Sequence, residues 1–567
     1  MSGKAALLGG TVVGAVLAFG LEAANAKTAK HAHVPRPSPA EVKVDALTAS
    51  LKAVEARLDE ETRARQALET QVAAATDAAD ASRADAQAAR AELADQIKTL
   101  PPSPAAPAAS AEDAASSSRK GITITPGGFL AAESIYRSKN DAADISSSFS
   151  RIPFDNAALA HTNELRGTAR QTRLSLLVQG DVDPTTHAAF YGEFDFQAAA
   201  QTANSNESNS YNPRIRHLYG TLDWDRLGLH LLAGQTWSLA TLNSKGITPR
   251  NEAPPPLIDG QYMPGFVWAR QPQLRLVKDW NKSVWAAVSL ENPQTTFAAP
   301  ATGISSTAAG ISLLETTPGI SGFDSANSLS LNHLPDVVGK LAYEPVIGGA
   351  RPLHLEVFGL WRTYSVRIDA ASGNAAGLPA GSFNTNAQGG GVGGSVAATV
   401  LPHRLDLQAS VITGQGIGRY GSAQLPDVTL KPDGHIAPIQ ETMFLVGGTW
   451  HALATTDIYV FGGEERQQAK YFDLGSGVFG FGNPAASFTA ASCTTEGGVC
   501  SPNLRQASQI TGGIWHRAYS GAFGQIRIGL QYSHTNLTGF PGVGGYAPKT
   551  SDNMVFTSFR YYLPTPN

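Results

Sequence analysis

Between Arg214 and Ser238 the chain reads Arg-Ile-Arg-His-Leu-Tyr-Gly-Thr-Leu-Asp-Trp-Asp-Arg-Leu-Gly-Leu-His-Leu-Leu-Ala-Gly-Gln-Thr-Trp-Ser. Leu218, Gly220 and Leu222 share one face, and His217, Tyr219, Thr221 and Asp223 share the other. A period of two on both sides of the short turn Trp224–Leu227 is the signature of a β-hairpin. Its apolar face needs a cover, and no amphipathic helix pattern nearby could supply one. Such a hairpin, repeated to the end of the chain, predicts a transmembrane barrel with its apolar face on lipid and its polar face on a water-filled lumen.

Similar alternation recurs after Gly121. Arg173, Ser175 and Gln179 oppose Leu174, Leu176 and Val178, and Tyr191, Glu193, Asp195 and Gln197 oppose Phe190, Phe194 and Phe196. Gln273 and Arg275 oppose Leu274 and Leu276, while His354, Glu356 and Arg362 oppose Leu355, Val357 and Trp361. Arg404, Asp406, Gln408 and Ser410 oppose Leu405, Leu407, Ala409 and Val411. Near the end, Gln525, Arg527 and Gln531 oppose Ile526, Ile528, Leu530 and Tyr532; Ser558 and Arg560 oppose Phe559, Tyr561 and Leu563. With weaker segments included, the pattern predicts an all-β transmembrane barrel of about sixteen antiparallel strands. Connectors alternate between short and long along the whole stretch, as they do when short turns face a periplasm and long loops face outward. A soluble sandwich or propeller would need a second layer over its apolar faces. Charged residues make up 16% of the chain, below the roughly 25% of soluble domains.

The first hundred residues differ in kind. Lys4, the apolar run Ala5–Leu21 and the Ala-Asn-Ala ending at Ala26 predict a signal peptide over 1–26. A Pro-rich linker, 27–39, follows; its His31 and His33 read as ordinary linker histidines. From 40 to 100 a heptad seam runs through Leu47, Leu51, Val54, Leu58, Leu68, Val72, Ala75, Ala79, Ala86, Ala89 and Leu93, interrupted at Glu61, Arg65 and Ser82. Sustained a/d spacing predicts a self-associating coiled coil in the periplasm, about 90 Å long at 1.5 Å per residue. So sparse a seam does not fix the oligomer order. Residues 101–120, rich in Pro, Ala and Ser, connect the rod to the barrel over 121–567.

Net charge is −4 and no basic block occurs, so nucleic acid is not an expected partner. No cofactor or metal is expected, because no ligand set with suitable spacing is evident. Cys493 and Cys500 lie close together in a Gly/Ser/Thr-rich segment, which predicts a loop disulfide in an oxidising compartment; two free thiols are the other reading. Ser, His and acidic residues form no catalytic arrangement, and no Gly-x-Ser-x-Gly elbow is present.

A barrel of about sixteen strands leaves an aqueous channel unless something narrows it. The connector 239–265 carries Pro254, Pro255 and Pro256 in succession, which suits a loop folded inward as a constriction; a surface loop is the alternative. Folded inward, it would carry Lys245 and Arg250 into the pore. Alternation places Arg173, Arg275, Arg362, Arg527 and Arg560 on the lumen face. Arg216 breaks parity with His217 and Tyr219, so it marks a bulge or a rim position, and whether Arg214 and Arg216 line the pore stays open. Guanidinium groups pair bidentately with carboxylate or phosphate, so these eight arginines are the candidate pore and solute-binding residues, against the bland reading that each pairs with a wall carboxylate.

With its signal peptide, coiled coil and a barrel containing Arg214-Ile-Arg-His-Leu-Tyr-Gly-Thr-Leu and Leu232-Ala-Gly-Gln-Thr-Trp-Ser, the chain resembles the DcaP-like porins of Gram-negative outer membranes. That resemblance implies a trimer of sixteen-stranded barrels, an N-terminal periplasmic coiled coil, and uptake of small anions such as dicarboxylates. Arg214 and Arg216 match the family's Arg-x-Arg motif. The expected function is an outer-membrane porin for passive diffusion of small anionic solutes, with lipid and further copies of the chain as partners. The alternative is a structural outer-membrane protein whose coiled coil tethers or spaces the barrel in the periplasm.

Overall fold

The computed structural model describes residues 117–119 and 121–564, except 199–211, 299–310, 315, 319–327, 349, 375–377, 474 and 476–477; upstream it describes only Lys52, Thr62 and Gln66, each helical. The signal peptide and the heptad seam therefore lie outside the described residues.

Sixteen barrel strands follow one another: β1 (Ile122–Arg137), β2 (Glu164–Thr168 continued by Arg173–Asp183), β3 (Thr186–Asp195), β4 (Arg214–Trp224), β5 (Leu229–Trp237), β6 (Arg270–Trp280), β7 (Val284–Glu291) and β8 (Asp336–Tyr343). The second half comprises β9 (Leu353–Ala370), β10 (Gly381–Leu401), β11 (Leu405–Gln415), β12 (Gln440–Leu453), β13 (Thr456–Gln467), β14 (Leu504–Gly521), β15 (Gly524–Gly539) and β16 (Lys549–Tyr562). Each pairs antiparallel with its neighbour in sequence, and β16 closes on β1 with Phe129 opposite Tyr562 and Arg137 opposite Met554. Closure leaves no row of unpaired N–H and C=O groups, the condition for strands to cross hydrocarbon.

The faces follow the alternation. Outward-pointing Leu174, Leu274, Val357, Val446, Val460, Ile510 and Leu530 are exposed, whereas inward-pointing Glu193, Arg275, Glu356, Arg362 and Arg560 are covered. Trp280, Tyr343, Trp450, Phe523 and Tyr561 stand on the outer surface near the short turns, and Tyr136 and Tyr532 stand on it toward the long loops. Two aromatic belts bounding an apolar band fit the depth profile of a bilayer. Connectors sort by end: 184–185, 225–228, 281–283, 344–352, 402–404, 454–455 and 522–523 at one, and 138–163, 196–213, 238–269, 292–335, 371–380, 416–439, 468–503 and 540–548 at the other. The hairpin at Arg214 supplies β4 and β5. A register shift opposite Glu193 and Phe194 makes a β-bulge at Arg216, so Arg216 and His217 are both buried inside.

The interior departs from a wholly polar, water-filled lumen. At the long-loop end, Ile145, Phe149 and Ile152 of the first long connector and Leu257, Ile258, Met263 and Phe266 of the third pack on inward-facing Leu445, Tyr459, Phe461, Leu537, Met554 and Phe556. Alternation cannot reveal such packing, because an apolar residue on the inner face looks like a lapse in the pattern until its partner loop is known. Elsewhere, Cys493 and Cys500 are joined by a disulfide in the connector after β13, packed against Phe488.

Leu530 lies between the two belts on the outer face. Leu530→Arg is expected to lower folding stability in lipid vesicles by about 2 kcal/mol or more, measured by denaturant titration. Gln525→Arg, on the inner face of the same strand, should cost much less.

Candidate pore constriction

The connector between β5 and β6 enters the barrel and crosses it. It leaves the wall where the Glu291 carboxylate accepts from the Leu239 amide (2.8 Å) and the Ser238 hydroxyl (3.1 Å). The Asn243 amide donates to Glu356 (3.2 Å), the Gly246 amide donates to Glu344, and Lys340 Nζ donates to the Thr241 carbonyl (2.7 Å). On the far side, Gln408 Nε2 donates to the Ala253 carbonyl (3.2 Å) and Trp515 Nε1 to the Pro256 carbonyl (2.8 Å), while Gln531 accepts from the Ile258 amide (2.6 Å). Pro254–Pro256 can be held this way because proline has no amide hydrogen to satisfy, and only its carbonyls need partners.

The return leg lies flat on β12 and β13. Gly265 has φ +90, a Cβ there would collide with the Phe444 carbonyl, and a Cβ at Gly463 would collide with the Pro264 carbonyl. The Gly265 amide donates to Glu465 (2.9 Å). Arg250 and Tyr262 both have left-handed backbones, φ 68 and 65, a conformation that costs a non-glycine residue on the order of 1 kcal/mol. Packing holds Tyr262: its ring is 4.8 Å from Phe266 and 6.0 Å from Trp237. Trp237, from the Gln-Thr-Trp-Ser run, also receives the Arg270 guanidinium at 4.7 Å, and its carbonyl accepts from Arg275 Nη2 at 2.6 Å.

The eight candidate arginines divide by partner. Arg214 makes a bidentate pair with Asp195 (3.0 and 2.8 Å), and Arg216 joins Glu193 (2.6 Å) to Asp195 (3.0 Å). Arg362 is buried between Asp336 (3.0 Å) and Asp427 (2.7 Å), and Arg560 meets Glu133 (2.8 Å) and Gln171 (3.1 Å). Arg275 is buried on Gln273 (3.0 Å) and the Trp237 carbonyl. Three stand apart. Arg173 has its nearest carboxylate, Glu193, at 4.0 Å and lies 5.3 Å from the Phe129 ring. Arg250 is exposed, 5.7 Å from the Tyr191 ring, and Arg527 bonds Gln525 with its guanidinium 4.6 Å from Tyr562. Among the described residues neither Arg250 nor Arg527 makes an ion pair. Lys245 is exposed as well.

Two cavities flank the loop. One of about 530 Å³ lies under Pro254–Pro256, with Arg173, Arg527, Arg560, Tyr262 and Trp515 among its lining. A smaller one, about 180 Å³, lies between the loop and β3–β5 and includes Arg173, Arg216, Arg250, Glu193 and Tyr191. Arg173 borders both. Sequence reasoning missed Tyr262 and Trp515. Trp515 carried a signal, since it alternates with outward Ile514 and His516, but Tyr262 sits in irregular backbone where no period applies.

No protein-family model matches the sequence, and no curated protein matches it either. Solved structures do. The outer membrane channel DcaP of Acinetobacter baumannii superposes with a TM-score of 0.54 at 18% identity, covering 79% of this chain and 99% of that one. The chain shares its fold with DcaP. The anion-selective porin from Comamonas acidovorans aligns at a TM-score of 0.41 and 14% identity, covering 78% and 100% of the two chains, and OmpT of Vibrio cholerae at 0.39 and 10%, covering 78% and 98%.

Asp195 is fully buried and carries two arginines. Asp195→Ala is expected to destabilise the barrel by about 3 kcal/mol, because it leaves buried Arg216 short of a partner. Arg250→Ala, which breaks no ion pair, should leave stability unchanged; denaturant titration of both variants checks the contrast.

Proposed function

We propose that this protein is an outer-membrane porin through which small anionic solutes, dicarboxylates among them, diffuse passively. The observation that carries the reading is the placement of Arg173, Arg250 and Arg527. They line cavities on either side of a loop that crosses the barrel, and none is held in a close carboxylate pair. A guanidinium in that position can exchange its water for a solute carboxylate and release it again, because its bonds to the wall are few. Arg214, Arg216, Arg275, Arg362 and Arg560 serve instead to hold the wall and the loops in place.

In the same reading, residues 1–26 direct export and the short turns face the periplasm. Residues 40–100 form a periplasmic coiled coil that helps three copies assemble. The fold shared with DcaP and the lipid-type outer surface support the placement of the barrel in an outer membrane.

The reading is tested by liposome swelling with a small dicarboxylate and a neutral sugar of similar size. The triple variant Arg173→Ala, Arg250→Ala, Arg527→Ala is expected to lower the dicarboxylate-to-sugar rate ratio by about tenfold. An unchanged ratio would remove the arginines as the selecting groups.

A further inference from the structure

At the short-turn end of the barrel, four inward-facing histidines repeat one arrangement. His187 on β3 places Nδ1 2.6 Å from Asp181 and Nε2 3.1 Å from Asp225. His230 on β5 lies 2.7 Å from Asp223 and 3.2 Å from Asp279. His354 on β9 lies 2.7 Å from Glu344 and 2.9 Å from Glu356, and His451 on β12 lies 2.7 Å from Asp457 and 3.0 Å from Asp406. In each case both ring nitrogens face a carboxylate oxygen. A neutral imidazole has one N–H, so a ring donating to two carboxylates is an imidazolium.

We propose that these four imidazoliums form a pH-responsive charge collar that sets the anion preference of the channel at its short-turn mouth. The inference rests on the porin reading and adds a second selecting element to the arginines at the constriction. Asp406, His451 and Asp457 line the same 530 Å³ cavity as Arg173, Arg527 and Arg560, so the His451 member of the collar borders the space proposed for a solute. Few other charges face it. Lys340 pairs with Glu356 at 2.9 Å, Arg517 pairs with Asp457 at 2.9 Å, and Arg351 acts on Glu344 from the adjoining turn. Trp285 stacks on His230 without adding charge.

With all four rings protonated, the eight carboxylates are largely offset. Loss of the four protons leaves the mouth four charges more negative, within a Debye length of any ion passing through it. Anion preference therefore falls as pH rises. A simple strut holding strands together would not require this.

Two measurements on the full-length protein decide the matter. In planar bilayers under a salt gradient, the wild-type chloride-to-potassium permeability ratio is expected to fall by about twofold or more between about pH 7 and pH 9, because the carboxylates around each ring hold its proton above the ordinary histidine range. The variant His187→Gln, His230→Gln, His451→Gln, which spares His354 because its partners Glu344 and Glu356 hold the loop, should flatten that profile while still conducting. A wild-type profile that is flat, or one that the variant retains, overturns the collar and leaves the porin reading intact; absence of any conductance overturns both. Independently, imidazole nitrogen chemical shifts at about pH 7 should show both nitrogens protonated in His187, His230, His354 and His451. A neutral tautomer at these positions would overturn the proposal whatever the conductance.

Discussion

Backbone hydrogen bonds have nowhere to go in hydrocarbon except to another strand, and the whole architecture follows from that. Because Phe129–Arg137 of β1 pairs with Met554–Tyr562 of β16, no edge is left to satisfy. Once the sheet is closed, every strand has an outer side and an inner side, and side chains must sort between them with a period of two. Leu530 and Gln531 are neighbours in sequence, yet one is half exposed on the outer surface and the other fully buried beside the constriction loop. Connectors are free of the register that closure imposes on the strands, so the long ones can fold back into the barrel they cap.

The interior is built around one of those connectors. Residues 238–269 would be an expensive loop to bury if their amides and carbonyls were unpaired. Wall side chains solve this from several strands: Glu291, Glu344, Glu356 and Glu465 accept amides, and Gln408, Trp515 and Lys340 donate to carbonyls. Polar residues on the inner face are thus only partly solvent-facing; many are fixed partners of the loop. The same logic divides the arginines. Those with two carboxylates, Arg216 and Arg362, are structural in their geometry, whereas Arg250 and Arg527 have no carboxylate partner among the described residues, which is why the proposed function rests on them.

Much of this was legible in the sequence, and for a physical reason. Alternation reports faces, so Arg173, Glu193, Arg275, Glu356, Arg527 and Arg560 could be placed inside from the pattern alone, and the parity break at Arg216 pointed to a bulge or a rim position, of which the register shift shows the bulge. Alternation does not report partners. It could not tell that Arg362 would be enclosed by Asp336 and Asp427, the latter from a long connector, or that Arg250 would stand free. Nor could it find Tyr262, held in a left-handed conformation by Trp237 and Phe266. The inward-facing Phe461 and Phe556 depart from a polar inner face because loop residues distant in sequence cover them.

The central claim is that the barrel conducts and that the loosely held arginines at the crossing loop favour anions. A reversal-potential measurement on the purified wild-type protein in a planar bilayer, under a potassium chloride gradient near neutral pH, tests it most directly. The account predicts stable conductance steps whose reversal potential lies toward the chloride equilibrium potential. A reversal potential toward that of potassium, or a bilayer that stays silent, would contradict it.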